Sequence, residues 1–361
     1  MPLDDIDNVQ GMRLGLNIGY WGAGNDATNL ELAREADRLG FSVVWVAEAY
    51  GSDAPSVLSW VAAQTERVDV GSAILQIPAR QPAMAAMTAA TLDSLSGGRF
   101  RLGLGVSGPQ VSEGWYGVRF DEPLGRTREY VEIVRKALRH ERVRYQGRHF
   151  QLPLPGGPGK ALPLAVQPVR ERIPIYLASL GPKNLELTGE IADGWLALFF
   201  SPEHSDDSLD RIRAGREKAG ETLDGFDVVA TAPIVVGDDW RTAADEARPY
   251  AAGFIGGAGS AKKNFYHDLV CRMGFPVEAG QVRDRYLSMD YEGAMSAVPL
   301  GFLDATSLLG SKERIAEKMR ALAEAGVTTL TVSPVAQDLA VNKAALRVAV
   351  EALEASGVGS H

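Results

Sequence analysis

Apolar residues in this chain fall in short dense runs that alternate with longer stretches of helical spacing. Met12 to Gly19 alternates as a strand does, and a glycine-rich loop, Tyr20-Trp-Gly-Ala-Gly-Asn, follows it. Thr28-Asn-Leu-Glu31 has the form of a capping box and is expected to open a helix whose Leu30, Ala33, Ala36 and Leu39 share one face. Gly40 closes it, as glycine does just past a helix end. Phe41 to Ala47 is nearly continuous apolar sequence, the pattern of a strand covered on both faces of a parallel sheet. The cycle then repeats. Helices are expected over 55–64, 82–95, 126–140, 182–191, 205–220, 311–325 and 339–355, and strands over 68–75, 100–104, 173–178, 195–199, 226–236 and 327–333. Residues 143–152 read as a small hairpin turning at Gln146-Gly147, 153–172 as a Pro/Gly-rich excursion, and 240–305 as mainly helical with breaks at Gly256-Gly257 and Gly274.

Eight strands, each followed by helix, predict a parallel sheet closed into a (β/α)8 barrel over residues 12–356, with long insertions after strands four and seven. An open, doubly wound sheet is the competing arrangement. Residues 1–11 read as a leader.

Composition narrows the function. The 361 residues carry a formal net charge of −9 and one cysteine, Cys271, so nucleic acid is not an expected partner and no disulfide framework can form. The acidic start lacks the basic and apolar regions of a signal peptide, and no run is long enough to span a bilayer. A cytoplasmic protein acting on a small molecule is expected. The histidines, at 140, 149, 204, 267 and 361, form no metal-ligand spacing, and none is predicted to hold a metal.

In a barrel of this kind ligands sit where the strands end, at the carboxyl face. The Gly103-Leu-Gly105-Val-Ser-Gly108 stretch has dinucleotide-turn spacing and nearly the spacing of a nucleophile elbow. It follows earlier βα units and is soon interrupted by Pro109 and Gly114, so neither reading fits. What remains is a platform: glycine backbone can approach a flat or anionic ligand closely. Ala178 to Asn184 is the anion candidate, since Pro182 suits the first helical position and the amides of Gly181, Lys183 and Asn184 would point outward. An ordinary tight βα turn would have the same sequence. Glu48 follows directly on an apolar strand, where a carboxylate is either paired at the rim or put to chemical use. Tyr20, Trp21, Tyr50, Trp115 and Tyr116 could wall a ring-binding pocket or simply pack an insertion onto the barrel.

Four segments occur in order along the chain: Gly40 to Gly51, Leu92 to Gln110, Pro174 to Asn184 and Ala192-Asp-Gly-Trp195. Together they resemble the bacterial luciferase-like superfamily, and within it the branch dependent on the deazaflavin coenzyme F420. The resemblance implies a TIM barrel, usually a homodimer, with F420 as cofactor and FMN as the alternative. It implies that Glu48 lies beside the deazaflavin ring, that Ala73 and Ile74 form a non-prolyl cis peptide behind it, and that Gly105, Val106, Ser107 and Gly108 follow the ring edge. Ala178, Ser179, Leu180, Gly181, Pro182, Lys183 and Asn184 match the phosphate loop. The sequence departs from the sugar-phosphate dehydrogenases of that branch. Gly108 stands where they carry a catalytic glutamate, and Ala49 where they carry a histidine, so glucose 6-phosphate is not the expected substrate. Glu48 is then the first acid/base candidate, followed by Tyr20, Tyr50 and His267. A flavin-binding protein without turnover and a nicotinamide dehydrogenase built on Gly103 to Gly108 are the remaining alternatives.

Overall fold

The structure is a computed structural model that describes residues 11–21, 26–259 and 263–360. Nearly all of the expected leader, most of the glycine-rich loop that follows Trp21, and His361 lie outside the described residues. Eight parallel strands form the barrel: β1 (Arg13–Asn17), β2 (Val43–Val46), β3 (Asp69–Ser72), β4 (Phe100–Gly105), β5 (Ile175–Ala178), β6 (Gly194–Leu198), β7 (Asp227–Val236) and β8 (Thr329–Pro334). Each pairs with the next, and β8 pairs with β1, so the sheet is closed and the open doubly wound alternative falls. Two short strands extend this sheet. Leu75–Gln76 lies beside β4, and Leu308–Gly310, which the hydrophobic pattern did not single out, lies beside β7.

The strands are nearly continuous apolar sequence because both faces are covered. Outward residues such as Val44, Val46, Leu102 and Leu104 pack against the helices in the main core. Inward, Val43, Trp45, Tyr176 and Val229 fill the barrel, with the Trp45 and Tyr176 rings edge-on at 5.3 Å. Several glycines exist to make room for these rings. A Cβ at Gly71 would stand 2.3 Å from Trp45, and one at Gly194 would stand 2.5 Å from Tyr176.

The helices fall close to their expected ranges, and Pro82–Leu95 and Pro182–Ile191 match to the residue. The first helix starts at Asp26, so Thr28 lies within its first turn and does not cap it. Ser311 does cap its helix, accepting the amide of Arg314. The Pro/Gly-rich excursion is brought back to the barrel by the buried Asp93, which takes the amides of Val169 and Arg170 and the Arg170 guanidinium. The insertion after β7 is helical as expected and builds a second core of its own over the barrel mouth.

Candidate active site

The carboxyl ends of β2 to β5 lie side by side, and their geometry departs from regular structure at several points. Past β3, the Ala73–Ile74 peptide is cis, as the resemblance implied. Ile74 lies across β4, because a Cβ on Gly105 would stand 2.2 Å from its Cδ1. Gly103 fits against β3: Ser72 Oγ is 2.9 Å from both its amide and its carbonyl, and a Cβ there would meet the Ser72 carbonyl oxygen at 1.8 Å. The Gly103/Gly105 spacing therefore serves close packing between strands and not a dinucleotide turn. Beyond it, Ser107 sits in the left-handed region at φ 62, a conformation a non-glycine residue holds only when its surroundings impose it. Phe199, just past β6, is the second left-handed residue at a strand tip, at φ 56.

Gly105 pairs directly with Ala178 in the β4–β5 ladder, so the platform adjoins the segment Ala178 to Asn184. Here Gly181 is the N-cap of helix Pro182–Ile191, no side chain caps that end, and the space where a Gly181 Cβ would point is open. One expected donor drops out, because the Asn184 amide is already bonded to the Gly181 carbonyl at 3.0 Å. Ser179 also turns inward, its hydroxyl 2.6 Å from that of Thr188. The Gly181 and Lys183 amides have no backbone acceptor among the described residues, and the buried Asn184 Oδ1 lacks a partner. From the insertion after β7, Arg272 reaches down to the Leu180 carbonyl at 3.0 Å.

Glu48 ends β2 with its side chain almost wholly buried. Arg80 holds both of its oxygens, at 2.5 and 2.7 Å, and the Ala54 and Gln76 amides add 3.2 and 3.4 Å contacts. Arg80 also binds Asp53 at 2.8 Å. Sequence reasoning missed Arg80, since its only signal is the need of a buried carboxylate for a partner. A carboxylate held this way is fixed in position by a bidentate, charge-assisted pair. Gln76 Nε2 and the Tyr116 hydroxyl both bind the Ala49 carbonyl, at 2.7 and 2.9 Å, while Gln76 Oε1 is buried without a partner.

Of the other acid/base candidates, Tyr20 lies against Gly51, with 3.0 Å between its ring and a Cβ there, and so stands beside Tyr50. Burial, and then Tyr50, push its phenol above the ordinary range, so it stays protonated. His267 is not brought into hydrogen-bonding contact with Glu48, Tyr20 or Tyr50. Its ring meets Asp268, Cys271 and Arg283 at 3.4 to 3.8 Å. The insertion supplies two residues that sequence reasoning did not select for chemistry, Tyr250 and Phe254. They surround Phe199 together with Tyr266 and Phe302, at centroid distances of 5.1 to 6.3 Å. Near them, the Ser333 hydroxyl accepts the Asn17 side-chain amide at 3.0 Å. No group of side chains suited to a metal ion occurs among the described residues.

These residues fit a flat ring with an anionic tail. Ile74, laid over the Gly105 backbone, offers an apolar surface for the ring, and an uncapped helix start with open space suits the tail. Comparison with known proteins gives the family. Residues 13–329 match the family described as luciferase-like monooxygenase. A protein of Mycobacterium tuberculosis whose name assigns it to the coenzyme F420-dependent oxidoreductases is 42% identical over 330 residues, covering 90% of this chain and 95% of that one. A 5,10-methylenetetrahydromethanopterin reductase of Archaeoglobus fulgidus is 30% identical over 305 residues, covering 84% and 88%. Among solved structures, the coenzyme F420-dependent tetrahydromethanopterin reductase of Methanopyrus kandleri has the same fold, with a TM-score of 0.78 at 24% identity over 95% of this chain and 97% of that one. This chain belongs to the luciferase-like monooxygenase family.

Proposed function

We propose that this protein is a coenzyme F420-dependent oxidoreductase that moves a hydride between the deazaflavin and a small organic molecule, at a CH–OH, CH–NH or C=C group. The observation that carries the reading is the Gly105–Ala178 pairing, which sets the tip of β4, overlaid by Ile74, directly beside an uncapped helix start. A relative 42% identical whose name carries coenzyme F420 dependence supports the reading. Gly105 to Gly108 and Ala73–Ile74 would hold the ring, and Gly181, Pro182 and Lys183 the phosphate. Bound there, F420 supplies a carbon that gives or takes hydride.

The chain's own part is to orient, to exclude water and to handle a proton. Glu48, fixed by Arg80, ties the chain after β2 to the chain after β3. Tyr20, a neutral phenol at the mouth with Tyr50 beside it, is the proton donor in this reading. His267, occupied by its own helix and by Arg283, takes no part.

A homodimer is proposed as well. Helices Ala54–Ala63 and Pro82–Leu95 pack side by side and contain one ionisable residue, the buried Asp93. Their outer surface shows Trp60, Met84, Met87 and Leu95, an apolar face that suits a second copy. Light scattering on the purified chain should give twice the monomer mass.

Titration of the purified protein with F420 and, separately, with FMN tests the main reading. Saturable binding of F420, with FMN at least about tenfold weaker, is expected. Preference for FMN would move the protein to the flavin side of the family, and binding of neither would overturn the reading.

A further inference from the structure

Five non-glycine residues hold left-handed backbone among those described, and four of them have a local reason. His140 and Met289 each stand just past a helix end, where that conformation is common. Glu122 opens the helix Pro123–Leu138, and its side chain is held by Arg148 at 2.7 Å. Phe199 is enclosed by the rings of Tyr250, Phe254, Tyr266 and Phe302. Ser107 has none of these reasons. It follows strand β4 and not a helix, and its hydroxyl has no partner among the described residues. Gly105 and Gly108 bracket it, and neither takes a positive φ. The left-handed residue of a glycine-rich stretch is therefore its serine. That conformation burdens any residue with a Cβ and costs glycine almost nothing. Such a burden persists where the side chain is put to use.

The surroundings of Ser107 define that use. Gly105, two residues earlier, lies under Ile74 and pairs with Gln76 on one side and Ala178 on the other. Val106 turns to a small cleft that it shares with Ile77, Pro78 and Pro123. Ser107 does not line that cleft and is partly exposed at the barrel mouth. The amides of Ser107 and Gly108 have no protein acceptor among the described residues. One hydroxyl and two amides thus stand together at the tip of β4, beside the apolar surface of Ile74. Hydrogen-bond donors that the protein leaves unmatched at such a place suit a ligand that brings acceptors.

We propose that Ser107 fixes the direction of the ring by reading its carbonyl-bearing edge. The Ser107 hydroxyl donates a hydrogen bond to an acceptor on that edge, the Ser107 and Gly108 amides serve its neighbours, and the face of the ring rests on Ile74. The proposal rests on the cofactor reading above. It adds that a side chain, and not bare backbone alone, orients the ring, which is why serine stands where glycine would fold with less strain.

The test pairs two variants of the full chain, Ser107→Gly and Ser107→Ala, and reads stability and F420 affinity separately. Ser107→Gly relieves the left-handed position, so the melting temperature without ligand should rise or hold. Its F420 affinity should nevertheless fall about tenfold. Ser107→Ala keeps the Cβ and the backbone and removes only the hydroxyl. It should melt with the wild type and also bind F420 about tenfold more weakly, and the visible band of the bound cofactor should shift as the hydrogen bond is lost. Opposite movements of stability and affinity in the glycine variant are what a purely structural serine does not produce. A lower melting temperature for Ser107→Gly would overturn the proposal, since the serine would then serve the fold. Unchanged F420 affinity in Ser107→Ala would overturn it as well, whatever the glycine variant does. In both cases F420 binding by the wild-type chain leaves the cofactor reading standing. A wild-type chain that does not bind F420 would remove that reading, and this proposal with it.

Discussion

The two ends of the barrel treat polar groups in opposite ways. At the amino end, Arg101 lies inside the barrel and binds Asp69 at 2.7 Å and Asp227 at 3.4 Å. Asp227 also takes Arg13 at 3.1 Å, the Tyr176 hydroxyl at 3.0 Å, and the hydroxyls of Thr328 and Thr329 at 2.6 and 2.8 Å. Strands β1, β3, β4, β5, β7 and β8 are thus stitched together by charges whose partners are all protein. At the carboxyl end, Gln76 Oε1 and Asn184 Oδ1 are buried without partners, a helix start is uncapped, and two non-glycine residues, Ser107 and Phe199, hold left-handed backbone. The floor closes most of its polar groups on one another, Arg13 Nε excepted, whereas the mouth leaves a whole helix start available. The lesson is that burial of a charge does not by itself mark a site.

The sharpest way to break this contrast is at the floor. Asp227→Ala leaves Arg101, Tyr176 and two threonines facing a void, and should cost about 3–5 kcal/mol of stability in urea unfolding. A loss below about 1 kcal/mol would mean that the network is decorative. Next comes Gly103→Ala, halfway up β4, whose methyl would strike the Ser72 carbonyl. It should cost about 1–3 kcal/mol, because backbone must move. Gly105→Ala meets only the tip of Ile74 and should cost less, while weakening F420 binding.

At the mouth the effects become conditional. Burial, then Tyr20, push the Tyr266 phenol up to about 12 from its ordinary 10.0. Tyr250 is raised in the same direction, first by burial and then by Tyr266. Between those values the folded chain keeps protons that the unfolded chain has lost. Their contribution is therefore complete below about pH 10 and disappears as pH rises through about 12. Melting temperature should fall across that window, and Tyr266→Phe should flatten the fall. The smallest change in stability is expected for Gly181→Asp. Aspartate is a better N-cap than glycine, so the fold should gain a few tenths of a kcal/mol. The same carboxylate would oppose an anionic tail, and F420 affinity should drop at least about tenfold. Unchanged affinity would remove that helix start from the site.

Much of this was legible in the sequence, for definite reasons. Strands such as Phe41 to Ala47 were visible because two-sided burial leaves no polar period to confuse. Pro182 announced a helix start because its fixed φ and missing donor suit the first helical position. What stayed hidden depended on chain returning from a distance. Glu48 could be picked out as an anomaly, but Arg80 lies 32 positions on and becomes its partner only after the β3 chain turns back. Leu308–Gly310 is too short to carry a period. The glycines of β4 were visible as a motif, but their reason was not, since the Ser72 carbonyl and the Ile74 side chain belong to another strand.

One contact ties the insertion to the barrel beside the proposed anion seat. The Arg272 guanidinium, on the insertion, grips the Leu180 carbonyl just ahead of the open helix start. A change that loosens the insertion therefore has a direct route, one side chain long, to that end of the site.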